Sequence, residues 1–165
     1  RLSGPPMSTV ELAASDPELR RLLGDAIAHV GAAEGSILLL SADQKSLRFV
    51  VAQSPTADLL LTLEQPLDQG IVGRAVAARH PMIVNEVQDD DAFDPIVDSK
   101  TGVRTNSIMV VPLLRSDLAL GAVTAINSAS ASGFAQEDLE CYMELAQQVV
   151  QRLAHLEGES GDHSR

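Results

Sequence analysis

Two stretches near the middle of the chain, Asn106–Arg115 and Leu118–Asn127, limit its fold more than any other feature. Each is strand-like, and only Ser116-Asp117 separates them, so together they read as a hairpin. Their apolar residues run almost continuously, from Ile108 to Leu114 and from Leu118 to Ile126, where a one-sided strand would alternate. Strands of that kind lie at the centre of a sheet covered on both faces. Gly121, inside the second strand, points to close packing or a bulge. A second hairpin is expected from Ser36–Ser41 and Leu47–Gln53, flanking the polar run Ala42–Ser46. Leu59–Leu63 fits a short strand or a helical turn equally well.

Helices are available to cover such a sheet. Asp16-Pro17 has the form of a helix start, with Asp as the cap and Pro at the first helical position. Leu19, Leu22, Leu23, Ala26, Ile27 and Val30 follow at helical spacing, and Gly31 ends the pattern. The last helix spans Gln136–Glu157, with Phe134 placed to pack on Leu139 as a hydrophobic staple. Leu139, Tyr142, Ala146, Val149, Leu153 and Leu156 recur at spacings of three and four, a heptad seam. Met143, Leu145 and Val150 widen the apolar surface, so this helix should have more than one neighbour. The seam residues are therefore the candidate homodimer interface, with the rest of the surface on the sheet or the first helix.

The segment Asp68–Phe93 orders a loop, a short helix, a strand and an acidic loop. Gly70 and Gly73 bracket a turn opening the helical pattern Ile71, Val72, Ala75, Val76, Ala78. Arg79-His80-Pro81 stops it, because proline disfavours helix in the residue before it. Met82-Ile83-Val84 reads as a short buried strand, and Asp94–Thr105 as irregular with a helical turn around Pro95–Ser99. A small cavity roofed by this helix and loop is the place to look for a ligand.

At 165 residues the chain is long enough for one domain with a real core. Residues 1–15 read as a vector remnant or flexible arm leading into the first helix, 16–157 as a single domain, and 158–165 as a disordered tail. No apolar run approaches a bilayer span and no signal-peptide pattern opens the chain, so a cytoplasmic, membrane-free protein is expected. Twelve basic against twenty-three acidic residues give a net charge of −11. That field repels polyanions, and aromatics at 2% supply few stacking surfaces, so nucleic acid is not an expected partner. The single cysteine, Cys141, rules out an internal disulfide and multi-cysteine metal sites.

The element order resembles a GAF domain. The motifs carrying the resemblance are QGIVGRAVAARHPMIVNEV, DDDAFD, TGVRTNSIMVVPLLRSDLALGAVTAIN and GFAQEDLECYMELAQQVV, which together reach from about Asp16 to Leu156. The resemblance implies an α+β fold: a central antiparallel sheet of about six strands, terminal helices on one face, and short helices and loops forming a pocket on the other. It also implies a non-catalytic regulatory module in signal transduction, one that senses a small molecule or links subunits.

The ligand signatures of the family are incomplete here. Cyclic-nucleotide-binding members carry Asn-Lys, Phe and Asp-Glu around the last strand and helix. Asn127, Phe134 and Asp138 match, but Ser128 replaces the lysine and Leu139 the glutamate. Without a lysine–acid link, Asn127 reads equally as a strand end and Phe134 as a staple. Bilin-binding relatives attach the chromophore through a cysteine near the acidic loop, and Val87–Lys100 contains none. Haem needs an axial ligand, and His29 and His80 read as solvated residues. Free methionine sulfoxide reductases use several cysteines, beyond what Cys141 alone supports. Asp89-Asp90-Asp91 with Asp94 and Asp98 lacks calcium-loop spacing and reads as a solvated acidic loop. No cofactor or metal is therefore called for.

The candidate pocket residues are Gly70, Ile71, Gly73, Arg74, Phe93, Arg104, Asn106 and Thr124, with Ser107 as a further neutral donor. Arg74 and Arg104 would pair with an anionic ligand or with the nearby aspartates. Gly70–Gly73, at a helix N-terminus, would offer free N–H groups to an anion or serve as a packing turn. The expected function is a small-molecule sensor acting on an effector in trans. The alternatives are a structural dimerisation module with an empty pocket, and a cyclic-nucleotide-binding domain.

Overall fold

The computed structural model describes residues 7–102 and 104–163. Helices α1 (Met7–Ala14) and α2 (Pro17–Val30) lead into strands β1 (Ala32–Leu40) and β2 (Ser46–Gln53). A short α3 (Ala57–Leu60), β3 (Glu64–Pro66), α4 (Gly70–Ala78) and β4 (Met82–Val84) follow. After α5 (Ile96–Thr101) come β5 (Ile108–Arg115), β6 (Leu118–Ser128) and α6 (Gln136–His163). The strands form one antiparallel six-stranded sheet in the order β3-β2-β1-β6-β5-β4.

Both central hairpins form, and β1 and β6, the two longest strands, lie side by side at the centre. Strand alternation sorts their residues between the two faces. Ile37, Leu39, Met109, Val111, Val123 and Ala125 point to the helix face, where they join α1, α2 and α6 in one core. Leu38, Leu40, Ile108, Val110 and Ala122 point to the other, under α4. This two-sided burial is what the continuous apolar runs require. Gly121 is a close-approach position: a Cβ there would lie 1.9 Å from the Leu38 carbonyl oxygen. The register also slips beside it, between Leu113 and Leu114, so packing and bulge coincide. Pro112, whose ring carries no N–H donor, pairs with Ala122 beyond the end of β4, where β5 is an edge and no ladder bond is lost.

Two stretches depart from expectation, and a third settles an open alternative in favour of the helical turn. Met7–Ala14 is a helix with Val10 and Ala13 buried against the core, where residues 7–15 read as an arm. Eight residues are too few for a helix to stand alone in water; tertiary packing holds this one. Residues 1–6 of the expected arm lie outside the described residues. Helix α6 runs on to His163 rather than stopping at Glu157, since extending an existing helix gains a hydrogen bond for each residue fixed. Leu59–Leu63 resolves into the end of α3 and a turn into β3, an edge strand too short and polar to stand out.

Helix α2 begins as its first residues dictate. Asp16 accepts the Leu19 N–H at 3.1 Å, and Gly31 closes the helix at a positive φ of 66°. The same Asp16, 5% exposed, receives two hydrogen bonds from Arg152 of α6, Nε at 2.9 Å and a terminal nitrogen at 2.7 Å. One carboxylate thus caps α2 and clamps it to α6. The Arg152 guanidinium holds the carboxyl below its ordinary range, with the Leu19 N–H adding to the effect and burial opposing it.

Asp16→Ala removes both cap and clamp and should cost about 2–4 kcal/mol in urea unfolding. Because the folded-state value is depressed, this contribution is complete above the unfolded-chain value of about 3.9 and lost as pH falls through the folded one. The stability gap between wild type and variant should therefore hold steady from neutral pH down to about 5 and close below about 4. A gap that widens in acid would contradict this assignment.

Candidate functional site

On the face away from the terminal helices, the sheet and the short elements enclose a cavity of about 100 Å³. Its floor is Glu34, Ser36 and Leu38 of β1, Phe49 of β2, Ile108 of β5 and Thr124 and Ile126 of β6. Its roof is the start of α4 with Phe93, Asp94, Val97 and Asp98, and Leu60 of α3 closes one side. The volume is small beside the roughly 300–1,000 Å³ common for drug-sized ligands.

The lining is mostly carbon, with a polar strip across β1 and β6. Ser36 pairs with Thr124 in register, and their hydroxyls hydrogen-bond at 2.7 Å. Two O–H groups meet in that contact and only one proton is used, which leaves a donor for the cavity. Glu34 sits one step along β1 on the same face and accepts a hydrogen bond from the Ser54 hydroxyl. In the roof, Asp98 accepts the Thr105 N–H and hydroxyl, both at 2.7 Å, and Asp94 accepts the Ile96 N–H at 3.0 Å. None of the described residues lining the cavity is Lys, Arg or His.

Four of the eight sequence-derived pocket residues line this cavity: Gly70, Ile71, Phe93 and Thr124. The other four are used elsewhere. Gly73 packs α4 onto the preceding loop, where a Cβ would lie 2.3 Å from the Leu67 carbonyl oxygen. Arg74 is 43% exposed and ion-paired with Asp90 at 3.0 Å, so it takes the aspartate alternative. Arg104 and Asn106 are exposed on the segment entering β5. Ser107 is buried and its hydroxyl accepts the Ser128 N–H at 2.9 Å. Sequence reasoning missed Glu34, Ser36 and Phe49, whose alternation on the first hairpin could have flagged them once the covered face was known. His29 and His80 are both exposed.

The partial nucleotide signature has structural work. Asn127, at a positive φ of 60°, accepts the N–H groups of Asn106 (2.7 Å) and Ser107 (3.2 Å) and donates to the Arg104 carbonyl (3.0 Å). Its side chain so pins the entry to β5. Phe134 is buried in the helix-side core, and its backbone N–H and carbonyl pair with the Asn85 amide at 2.8 and 3.1 Å. Asp138 accepts the Ala135 N–H at 2.8 Å, capping α6. Asn127, Phe134 and Asp138 are all absent from the cavity lining.

The proposed dimer seam also turns inward. Tyr142, Val149 and Leu153 are fully buried within the single chain, and Ala146 and Leu156 nearly so; Leu139 is half-buried. These side chains pack on the sheet and the first helices, because the widest apolar stripe of α6 is the one its own core claims. The five buried ones are taken up by the chain's own core, while Leu139 keeps an exposed side. Cys141, half-buried beside the same core, has its thiol pushed up by burial and by the nearby Glu144 and Asp138 carboxylates. Among the described residues no three His, Cys, Asp or Glu side chains converge as metal ligands would, and no helix is long and apolar enough to cross a membrane.

The fold finds its counterpart in known proteins. A family model described as GAF domain matches residues 13–154. The chain belongs to the GAF domain family. Among curated relatives, the mouse cone cGMP-specific 3',5'-cyclic phosphodiesterase subunit alpha' is 32% identical over 77 residues, 47% of this chain and 9% of that protein. The chain thus matches only a small part of such relatives. The GAF domain of a Coxiella burnetii phosphoenolpyruvate-protein phosphotransferase superposes with a TM-score of 0.76 at 14% identity, covering 93% of this chain and 92% of that one. A type II free methionine-R-sulfoxide reductase from Thermoplasma acidophilum superposes with a TM-score of 0.71 at 16% identity, over 90% and 96% of the two chains. At such identities these two likenesses concern the GAF fold alone. Membership makes the chain a sensory or regulatory domain in the general sense of the family.

Val149→Asp places a charge in the core and should lower unfolding stability by about 3 kcal/mol or more. Loss of the cooperative circular-dichroism transition is the expected readout; a stable, folded protein would reinstate the seam as an interface. Asn127→Ala should cost about 2–3 kcal/mol by stripping three backbone partners. A change within about 0.5 kcal/mol would assign the latch to other residues.

Proposed function

We propose that this GAF domain is a non-catalytic, cytoplasmic sensor that binds a small molecule in the cavity and passes occupancy to α6. The observation carrying the reading is the double role of Thr124. Its side chain meets Ser36 at the cavity floor, while its backbone carbonyl accepts the Tyr142 hydroxyl of α6 at 2.9 Å. Burial pushes the Tyr142 phenol well above its ordinary range, so it stays protonated and donating at neutral pH. A ligand that draws on Thr124 shifts the strand to which α6 is bonded. From α6 the signal goes to an effector in trans, or to a second copy seated on the outer face of the helix around Met143, which is 42% exposed.

The non-catalytic part of the reading rests on the thiol. Cys141 is the chain's one cysteine, it lies on the helix side of the sheet, and its environment disfavours the thiolate. Two other readings have an observation each. Likeness to cGMP-specific phosphodiesterase subunits favours a cyclic nucleotide, against which stands a small cavity lined by Glu34, Asp94 and Asp98 and, among the described residues, by no cation. The same small volume favours a purely structural module. A thermal-shift screen separates these readings: a specific ligand at about 100 times its Kd adds about 2.7 kcal/mol of stability. Cyclic nucleotides should give no shift, and silence across a broad metabolite screen would favour the structural module.

Tyr142→Phe should cost about 1–2 kcal/mol and leave ligand affinity unchanged. It should abolish the ligand-induced change in hydrogen exchange along α6. A ligand response in α6 that survives the substitution would place the coupling elsewhere.

A further inference from the structure

The class of ligand can be narrowed from the cavity's chemistry, an inference that rests on the cavity being a ligand site. Glu34 is 9% exposed, and it lines a cavity whose wall is largely Leu38, Phe49, Ile71, Val97, Ile108 and Ile126. Ser54 donates to its Oε1, and Oε2 takes no hydrogen bond among the described residues. Oε2 is not among the fully buried unpartnered atoms, so it opens onto the cavity, where a cation or a strong donor can take the place of water on it. Its polar neighbours on the floor, Ser36 and Thr124, are neutral, and the titratable roof groups facing it, Asp94 and Asp98, are acids. Asp98 has both oxygens engaged by Thr105, and Asp94, with one oxygen taken by the Ile96 N–H, is less buried than Glu34, so Glu34 is the acid seated deepest to meet a guest. The two arginines nearest in sequence to the roof do not change the sign: Arg74 is held by Asp90, and Arg104 is exposed and outside the lining.

We propose that the cavity selects a small cationic amine, its ammonium on Glu34 and its apolar body against Phe49, Ile71 and Ile108. An ammonium group brings three donors and no acceptor. One N–H goes to Oε2 of Glu34, and a second reaches the Ser36–Thr124 hydroxyl pair, the position coupled to Tyr142. The carbon wall takes the alkyl or aryl body. The cavity, about 100 Å³, is small beside those that hold drug-sized ligands, which favours a short body. Carboxylates and phosphates are rejected by charge, because an anion would meet Glu34, Asp94 and Asp98 with no compensating cation among the described lining residues.

The test holds the carbon skeleton constant and changes the head. 3-Methylbutylamine, 3-methylbutanol, 3-methylbutanoate and leucine are titrated into the full chain by calorimetry at roughly 0.15 M ionic strength, where attraction to the acidic surface is screened. The amine should bind at least about tenfold more tightly than the other three, the size expected for a charge-assisted hydrogen bond. Glu34→Gln, which keeps the shape and the Ser54 contact, should lose about tenfold or more of the amine affinity. In wild type, amide shifts on adding amine should centre on residues 34–38 and 124–126, a readout that does not depend on the variant folding. Equal or tighter binding of the alcohol, the acid or leucine overturns the amine assignment while leaving the cavity a ligand site. Amine binding that Glu34→Gln leaves intact overturns it as well, by placing the cation elsewhere. No binding by any of the four also overturns it, and the broad screen then decides whether the cavity holds ligands at all.

Discussion

The close pairing of β1 with β6 is the contact on which the rest of the molecule depends. Gly121 lets the two backbones approach because a side chain there would collide with the Leu38 carbonyl. Around that contact the sheet is covered twice, by α1, α2 and α6 on one face and by α4 with the roof loops on the other. The Ser36–Thr124 hydroxyl pair crosses the same two strands one turn of alternation away. The core and the cavity floor are thus the two faces of a single ladder, and neither can change without the other feeling it. Packed interiors respond to small volume changes by shifting rather than compressing, which makes this ladder a natural carrier of a pocket's state to α6.

The electrostatics divide along the same plane. On the helix side, Arg152 and Asp16 satisfy each other and tie the first and last long helices together. On the cavity side, the arginine of α4 is drawn outward to Asp90, and among the described residues the only charged groups in the lining are carboxylates. A chain with a net charge of −11 has few cations to spend, and it places them at its outer ion pairs rather than around the cavity. That placement turns the cavity away from anions, even though the protein's relatives include cGMP-specific enzymes.

Much of the fold was readable from local pattern. The two hairpins, the Asp16 cap, the GIVG helix and the final helix follow from turn residues and apolar period, and each appears where those signals lie. What pattern reads poorly is shorter or lies at the margin. α1 has too few residues to show a period, and β3 is polar because it sits at an edge. The candidate site was half legible. The roof residues Gly70, Ile71 and Phe93 belong to one continuous segment and were found together. Glu34, Ser36 and Phe49 come from distant strands, and only folding brings them beneath that roof.

The amino-acid order by itself determined the longer elements, the family and the two-sided burial of β5 and β6, because these rest on local turn chemistry and on hydrophobic period. Tertiary structure alone decided which side of each amphipathic element faces which partner. The seam of α6 could have met a second subunit, yet the chain's own sheet claims it, since intramolecular burial needs no loss of translational freedom. Arg74 and Arg104 could have met an anion, yet neither lines the cavity: the nearest carboxylate takes Arg74, and Arg104 stays exposed. Asn127, Phe134 and Asp138 could have belonged to a nucleotide site, yet backbone groups left open at strand and helix ends engage Asn127 and Asp138, and the helix-side core takes the Phe134 ring. In each case the sequence offered a side chain with two uses, and the geometry of the nearest unsatisfied partner chose between them.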